Sequence, residues 1–328
     1  MSEIKQSINK TQVVGTLLEL NMEATTKEVT LKGNNGIEKK VECKQIGKKD
    51  FKNPMFLIDV KGMNIGVDFY PVSEKKLDEN GNIVSNSKFT AMETVMDKYI
   101  PKIKDAENAT RVKVDGCLVN QEYVSKDTYE FKCFPQVQGF QITSTNVPEE
   151  DIADCEISGI IRSIIPETKG EDAEETGRLK VELYTFNRNA ETTPFTFIVE
   201  ADLADDFNSF YEAGQSVKLY YEIITKQVGA KKTTTGGFGR RESHMVSGFS
   251  VTEYSVFRGD TAYEEESEYY INPEDMKQAL NERDIKISNM VKVAKENKDK
   301  PKSSPKGASS SGAKANPFGS ASTKKSPF

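Results

Sequence analysis

The chain has 328 residues, 36% of them hydrophobic and 29% charged, and a formal net charge of −6. That length accommodates two ordinary domains, each with its own core. No stretch approaches the roughly 20 apolar residues of a membrane helix, and the start, MSEIKQSINK, lacks the apolar region of an export signal, so a cytosolic protein without membrane contact is expected.

In chain order, the first clear element is VVGTLLEL (residues 13–20), a β-branched run with Gly15 near its start. A glycine inside a strand marks a bulge or a tight bend, as at a barrel corner. TTKEVTLKGNNGIEKKVECKQ follows as an extra hairpin or long loop turning at Asn34-Asn35-Gly36, and PMFLIDV and NIGVDFY form a hairpin about Lys61-Gly62. SKFTAMETVMDKYI places Phe89, Met92, Val95, Met96 and Tyr99 at helical spacing. TRVKVDGCLVNQEYV and VQGFQI (137–142) complete the first half as strands.

The second half repeats this order. ISGIIRSI (157–164) opens it with Gly159, GRLKVELYTF and PFTFIVEA are strands, and DLADDFNSFYEAG is a short helix with Asp202 as N-cap and Gly214 as its stop. QSVKLYYEIIT is a strand, and VSGFSV (246–251) closes the half as VQGFQI closes the first. Beyond Arg258, YEEESEYY is an acidic connector, and Asn272-Pro273 begins a helix carrying Met276, Leu280, Ile287, Met290, Val291 and Ala294 on one side. The run from residue 301 to 328, rich in lysine, serine and proline, cannot bury a core and is expected to be disordered. The domains expected are thus 1–148, 149–260, a connector and helix over 261–300, and the tail over 301–328.

Each half reads β-β-β-α-β-β, and five strands with a helix between the third and fourth is the order of the OB-fold. Over residues 8–258 the chain resembles a tandem OB-fold protein; the alternative is a pair of unrelated β-sandwiches. The expected fold is therefore mainly β, two five-stranded barrels each with a short helix, followed by a C-terminal helix and the tail.

Catalytic chemistry finds little support. TTTGGFGRR lacks the order of a phosphate-binding P-loop and precedes a strand rather than a helix. His244 is the single histidine, and Cys43, Cys117, Cys133 and Cys155 form no C-x-x-C pair, so no zinc set and no cofactor are implied. The acidic runs EEDIAD and EEESE read as solvated connectors. A non-enzymatic protein is expected.

Charge is unevenly spread: nine lysines follow residue 290 against Glu296 and Asp299, so the body is strongly acidic and any nucleic acid must lie in a locally basic groove. One such place is KQVGAKKTTTGGFGRRESH (226–244), which joins strands four and five of the second barrel and holds five basic residues, four glycines and Phe238. In OB-folds that loop and the face of strands two and three bind oligonucleotides. Strand alternation in RLKVELYTFNR puts Leu179, Val181 and Leu183 in the core and Lys180, Glu182, Tyr184, Phe186 and Arg188 on the other side. Tyr184 and Phe186 are expected to be exposed and to stack bases, with packing under the long loop or against the first barrel as the alternative. Lys231, Lys232, Arg240 and Arg241 would hold phosphates and Phe238 would stack; a solvated spacer is the alternative. In the first barrel the matching loop brings Tyr123, Lys126, Tyr129, Phe131 and Lys132, together with Phe134.

The last residues, STKKSPF, end on Pro327-Phe328, and ANPFGS carries the same pair ten residues earlier. The tail resembles that of bacterial single-stranded DNA-binding proteins in its expected disorder and its Pro-Phe end, which implies a docking element for replication or recombination proteins, although its lysines depart from their acidic pattern. The whole looks similar to the single-stranded DNA-binding proteins that bacteriophages encode. Single-stranded DNA is the expected partner, bound with little sequence preference; a replisome or virion adaptor and an RNA binder are the alternatives.

Overall fold

The computed structural model describes residues 5–33, 36–145, 150–169, 173–233 and 243–298, with backbone alone for 227–233, 243–249 and 298. The first half begins with β1 (Asn9–Leu20), β2 (Met22–Lys32), β3 (Glu38–Lys48), β4 (Phe56–Val60) and β5 (Met63–Asp68). After β6 (Val72–Ser73), β7 (Lys75–Leu77) and β8 (Ile83–Ser85) come α1 (Ser87–Lys98), β9 (Arg111–Val124) and β10 (Phe131–Ser144). The second half holds β11 (Asp154–Lys169), β12 (Glu174–Phe186), β13 (Thr192–Val199), α2 (Ala204–Phe210), β14 (Ser216–Thr233) and β15 (Ser243–Gly259), followed by α3 (Pro273–Lys298).

Hydrogen bonding closes two barrels of the same topology. In the first, β1, β4, β5, β10 and β9 pair in that order and β9 returns to β1; only β5–β10 is parallel. In the second, β11, β12, β13, β15 and β14 do the same, with β13–β15 parallel. Each is a five-stranded OB-fold barrel with a helix between its third and fourth strands. The start of β1 also pairs with β11, Asn9 opposite Ile157 and Thr11 opposite Cys155, which fuses the barrels into one ten-stranded sheet. A single apolar core runs through both, including Val13, Leu17, Phe56 and Val114 of the first and Ile157, Val181, Phe197 and Leu219 of the second.

The repeated glycine has a physical cause. β1 pairs with β9 up to Thr16 and with β4 from Thr16 onward, and β11 changes from β14 to β12 at Ile160. At each change the first strand turns a barrel corner against the backbone of the second. A Cβ on Gly15 would stand 2.4 Å from the Asp59 carbonyl oxygen, and one on Gly159 would stand 2.3 Å from that of Tyr184. Backbone cannot yield cheaply, so Gly15→Ala and Gly159→Ala should each cost about 1–3 kcal/mol. Denaturant unfolding checks this, and unchanged midpoints would refute it.

Several local expectations are corrected. The closing repeat is not structural: Gly139 lies in the wall of the first barrel, whereas Gly248 pairs with Gly229 on an extension of β14 and β15. The β13–β15 pairing lies further along, at Ser255 and Val256, so the wall strand is the later part of β15. Asp202 does not cap α2. A turn already precedes the helix, with the Leu203 N–H bonding the Glu200 carbonyl at 3.0 Å, and Leu203 takes the cap position without a side-chain bond. The extra hairpin forms as β2 and β3, and β6 joins its edge as a third strand; its turn residues Asn34 and Asn35 lie outside the described residues. α3 begins at Pro273, and the Asn272 side chain accepts the Glu274 N–H at 2.8 Å. The tail from 301 to 328 lies outside the described residues.

Candidate nucleic-acid interface

On β12 the alternation holds, with Leu179, Val181 and Leu183 turned into the barrel and Tyr184 and Phe186 turned away. The expected exposure does not hold. Tyr184 is 7% and Phe186 2% exposed, because Ile271, Met276 and Ala279 cover them together with Ile160, and Leu280 packs alongside. Among the described residues the apolar cover of the two rings comes from Met276 and Ala279 of α3 and from Ile271 just before it. Burial raises the Tyr184 phenol above its ordinary value, and the neighbouring Glu182 carboxylate adds to the shift. Lys180 is half-buried further back on β12, and Arg188 is exposed in the turn before β13. In this conformation the face cannot stack bases.

The described residues of the stretch 226–244 form a two-stranded ribbon rather than a loop. β14 and β15 stay paired from Thr225 opposite Thr252 out to Thr233 opposite Ser243. Their β-branched and alternating residues supply strand propensity that the glycines and lysines obscured. Lys231 and Lys232 lie on this ribbon with their side chains outside the described residues, as are Phe238, Arg240 and Arg241 altogether. Pro327 and Phe328 are outside them too. In the first barrel, Lys126 and Tyr129 sit in the turn between β9 and β10, with Tyr129 at a left-handed φ of 56°. Phe131 and Lys132 open β10, and Lys132 pairs with Glu130 at 3.1 Å. Tyr123 and Phe134 face each other edge to face at 6.1 Å, both about half exposed.

The most exposed rings of the first barrel lie elsewhere: Phe51 at 85%, Tyr70 at 68% and Phe140 at 59%. Each is held outward by its surroundings. Phe51 tops a turn fixed by Asn21, whose side-chain amide donates to the Asp50 carbonyl at 2.6 Å and whose oxygen accepts the Asp50 N–H at 2.9 Å. Tyr70 follows Phe69, whose buried ring occupies the space beside Gly139, where a Cβ would stand 2.3 Å from it. Phe140 sits where the β10 register shifts between Gly139 and Gln141, so this bulge turns its ring to the surface.

These rings border a groove that starts beside Thr225 of β14 and Thr252 of β15, passes over β5 and β10 and ends against β2, β7 and the start of α1. A cavity of 430 Å³ lies between Phe51 and Phe134, one of 320 Å³ between Phe51 and Tyr70, and one of 420 Å³ between Tyr70 and Phe140. Lys27, Lys32, Lys48, Lys52, Lys75, Lys76 and Lys88 line the three, against the carboxylates of Glu23 and Asp68. Lys48 is paired with Asp68 and Lys32 with Glu38, while the other five ammonium groups make no ion pair among the described residues. Gln121, Gln136 and Gln138 form a polar floor; Gln138 donates to the Asp68 carbonyl at 3.0 Å. Rings, free lysines and adaptable amides in one groove are the chemistry that holds stacked bases and a phosphate backbone.

Among the described residues no group of three or more His, Cys, Asp or Glu side chains is placed to hold a metal ion, and no helix is long and apolar enough to cross a membrane. The chain is similar to the wild-type single-stranded DNA binding protein from Thermus aquaticus, with 10% identity and a TM-score of 0.40 over 80% of this chain and 97% of that one. It is similar also to a deletion mutant of that protein, with 12% identity and a TM-score of 0.38 over 80% of this chain and 98% of that one. No curated protein matches it. The YorF family model matches residues 7–292, and the chain therefore belongs to the YorF family.

Proposed function

We propose that this protein binds single-stranded DNA with little sequence preference, without catalysis, in replication or recombination. The observation that carries the proposal is the groove: Phe51, Tyr70 and Phe140 stand along a lysine-lined path in a chain whose net charge is −6. Its place overlaps the one an OB barrel uses: β5 is the third strand, and the β2–β3 arm belongs to the connection between strands one and two. Flat rings need unstacked bases, which duplex does not offer. The acidic remainder of the surface discourages indiscriminate adhesion to DNA.

Poly-dT should therefore bind well ahead of duplex of equal length, with an affinity that falls with salt at about −0.7 in log–log slope per phosphate engaged. Gel shifts with dT, rU and duplex at several salt concentrations test this, and equal binding of single strand and duplex would refute it. A second reading, a protein-binding adaptor, draws on another place. Exposed Phe210 and Phe257 flank a cleft of 300 Å³ between α2 and β15, floored by Leu203, Phe207 and Tyr211. A chain that ignores all three nucleic acids would favour it.

A further inference from the structure

α3 is an addition to barrels that are complete without it. Of the buried residues in its contact, Met276 and Ala279 on one side and Ile160, Tyr184 and Phe186 on the other, none belongs to the core that fills the barrels; Ile271, just before the helix, joins the contact and is tied to β14, its N–H donating to the Ser216 hydroxyl at 2.9 Å. Beyond that contact the helix is held by two cations at the rim. Arg283 donates to the Thr192 carbonyl at 3.0 Å and pairs with Glu122 of β9, and Lys286 lies 2.9 Å from Glu191. Further along, Val293 is turned to solvent.

The groove of the first barrel leads to this helix. Past Tyr70 and Phe140, the next cavity is lined by Asn120 of β9, Phe186 of β12, and Arg283 and Lys286 of α3. A strand that continues along the groove brings phosphates to two cations held only by carboxylates and a carbonyl. The exchange is like for like: phosphates replace Glu122 and Glu191 as partners, and bases replace aliphatic side chains on two rings. Arg162, whose guanidinium lies 5.6 Å from the Tyr184 ring centre, is already at that face to meet further phosphates.

We infer that α3 is a displaceable cap over a second single-stranded DNA site, on the outer face of the second barrel, with Tyr184 and Phe186 as its stacking rings. The inference rests on the single-stranded DNA reading above. Met276→Gln with Ala279→Gln in the full chain sets polar groups against the rings and undocks the helix without touching either barrel core. Titrated with poly-dT, this variant should occlude roughly 4–16 more nucleotides per chain than the parent, the span of one OB-fold, and bind about tenfold tighter. Adding Tyr184→Ala and Phe186→Ala should remove both gains. In the parent the docked helix competes with the strand for the two rings, so saturating poly-dT should lower the hydrogen-exchange protection of the amides of residues 277–286 without abolishing it.

A folded variant with the parent's occluded length overturns the cap, as do parent α3 amides whose protection poly-dT leaves unchanged. If the variant does not fold, the exchange measurement on the parent decides. A parent that binds no poly-dT counts against the first-barrel groove instead; the cap then stands if the undocked variant binds and falls if it does not.

Discussion

Replacing Phe51, Tyr70 and Phe140 together with alanine should weaken poly-dT binding a hundredfold or more. Stacking contributes about 1–3 kcal/mol per base, and about 1.4 kcal/mol is a factor of ten. The three rings are mostly exposed, so their removal opens no cavity and the melting temperature should hold. Phe69 still fills the space beside Gly139 in this variant. No charge is lost, so the salt slope should stay at the parent's value. Lys75→Ala, Lys76→Ala and Lys88→Ala together should do the reverse, flattening the slope by about 2 at about 0.7 per phosphate contact. Titrations of both variants across salt concentrations separate the effects. A triple-ring variant with the parent's affinity would remove the groove from consideration.

The barrels were legible because their signals are local. Alternation in RLKVELYTF separates core from surface side, helical spacing marks Phe89, Met92 and Val95 of α1, and Gly15 and Gly159 announce the corners where β1 and β11 change partner. Asn272-Pro273 likewise marks the start of α3. Each of these depends on residues within a few positions of one another.

The site was not legible in that way. Alternation tells which side of β12 carries Tyr184 and Phe186, and says nothing of what lies on that side; the cover comes from α3, far along the chain. The apolar side of α3 was evident, but its partner was a matter of tertiary arrangement. The groove rings gave a misleading signal. Phe69 and Tyr70 are adjacent aromatics of which one is buried and the other open, and Phe140 owes its direction to a register shift in β10. The lysines beside them come from β2, β3, the β7 region and α1, segments that only the folded barrel brings to one groove. A signal was available in KKDFKNP and DFYPV, rings in turns beside lysine or proline, but turns of that composition seldom demand a partner.

Arg178→Ala should be among the most damaging single substitutions in the protein, at roughly 3–5 kcal/mol, the cost of stranding buried charge. Arg178 is buried on β12, and its guanidinium meets Glu167 of β11 at 3.2 Å, Glu200 after β13 at 3.1 Å and Glu253 of β15 at 2.6 Å. Lys226 of β14 bonds Glu253 at 2.8 Å, so all five strands of the second barrel meet here, where the ribbon leaves the barrel wall. Without the arginine, three carboxylates share Lys226 and the more distant Lys169, 3.6 Å from Glu167. Arg178→Lys keeps the charge but cannot reach three partners with one planar fork, so an intermediate loss is expected. The pH dependence gives an independent check. Burial acts to raise the Glu253 carboxyl, but Lys226 and Arg178 together hold it below its ordinary 4.5. A folded value below the unfolded one stabilises the protein above that pH and is lost as the pH falls through the folded value. Without Arg178 the burial that raises Glu253 meets one cation fewer, so acid harms the variant less than the parent. Denaturant unfolding should show the gap between them widest near neutrality and narrowing below about pH 4.5. A gap under about 1 kcal/mol at pH 7, the range of an exposed ion pair, would show that the five strands do not depend on this junction.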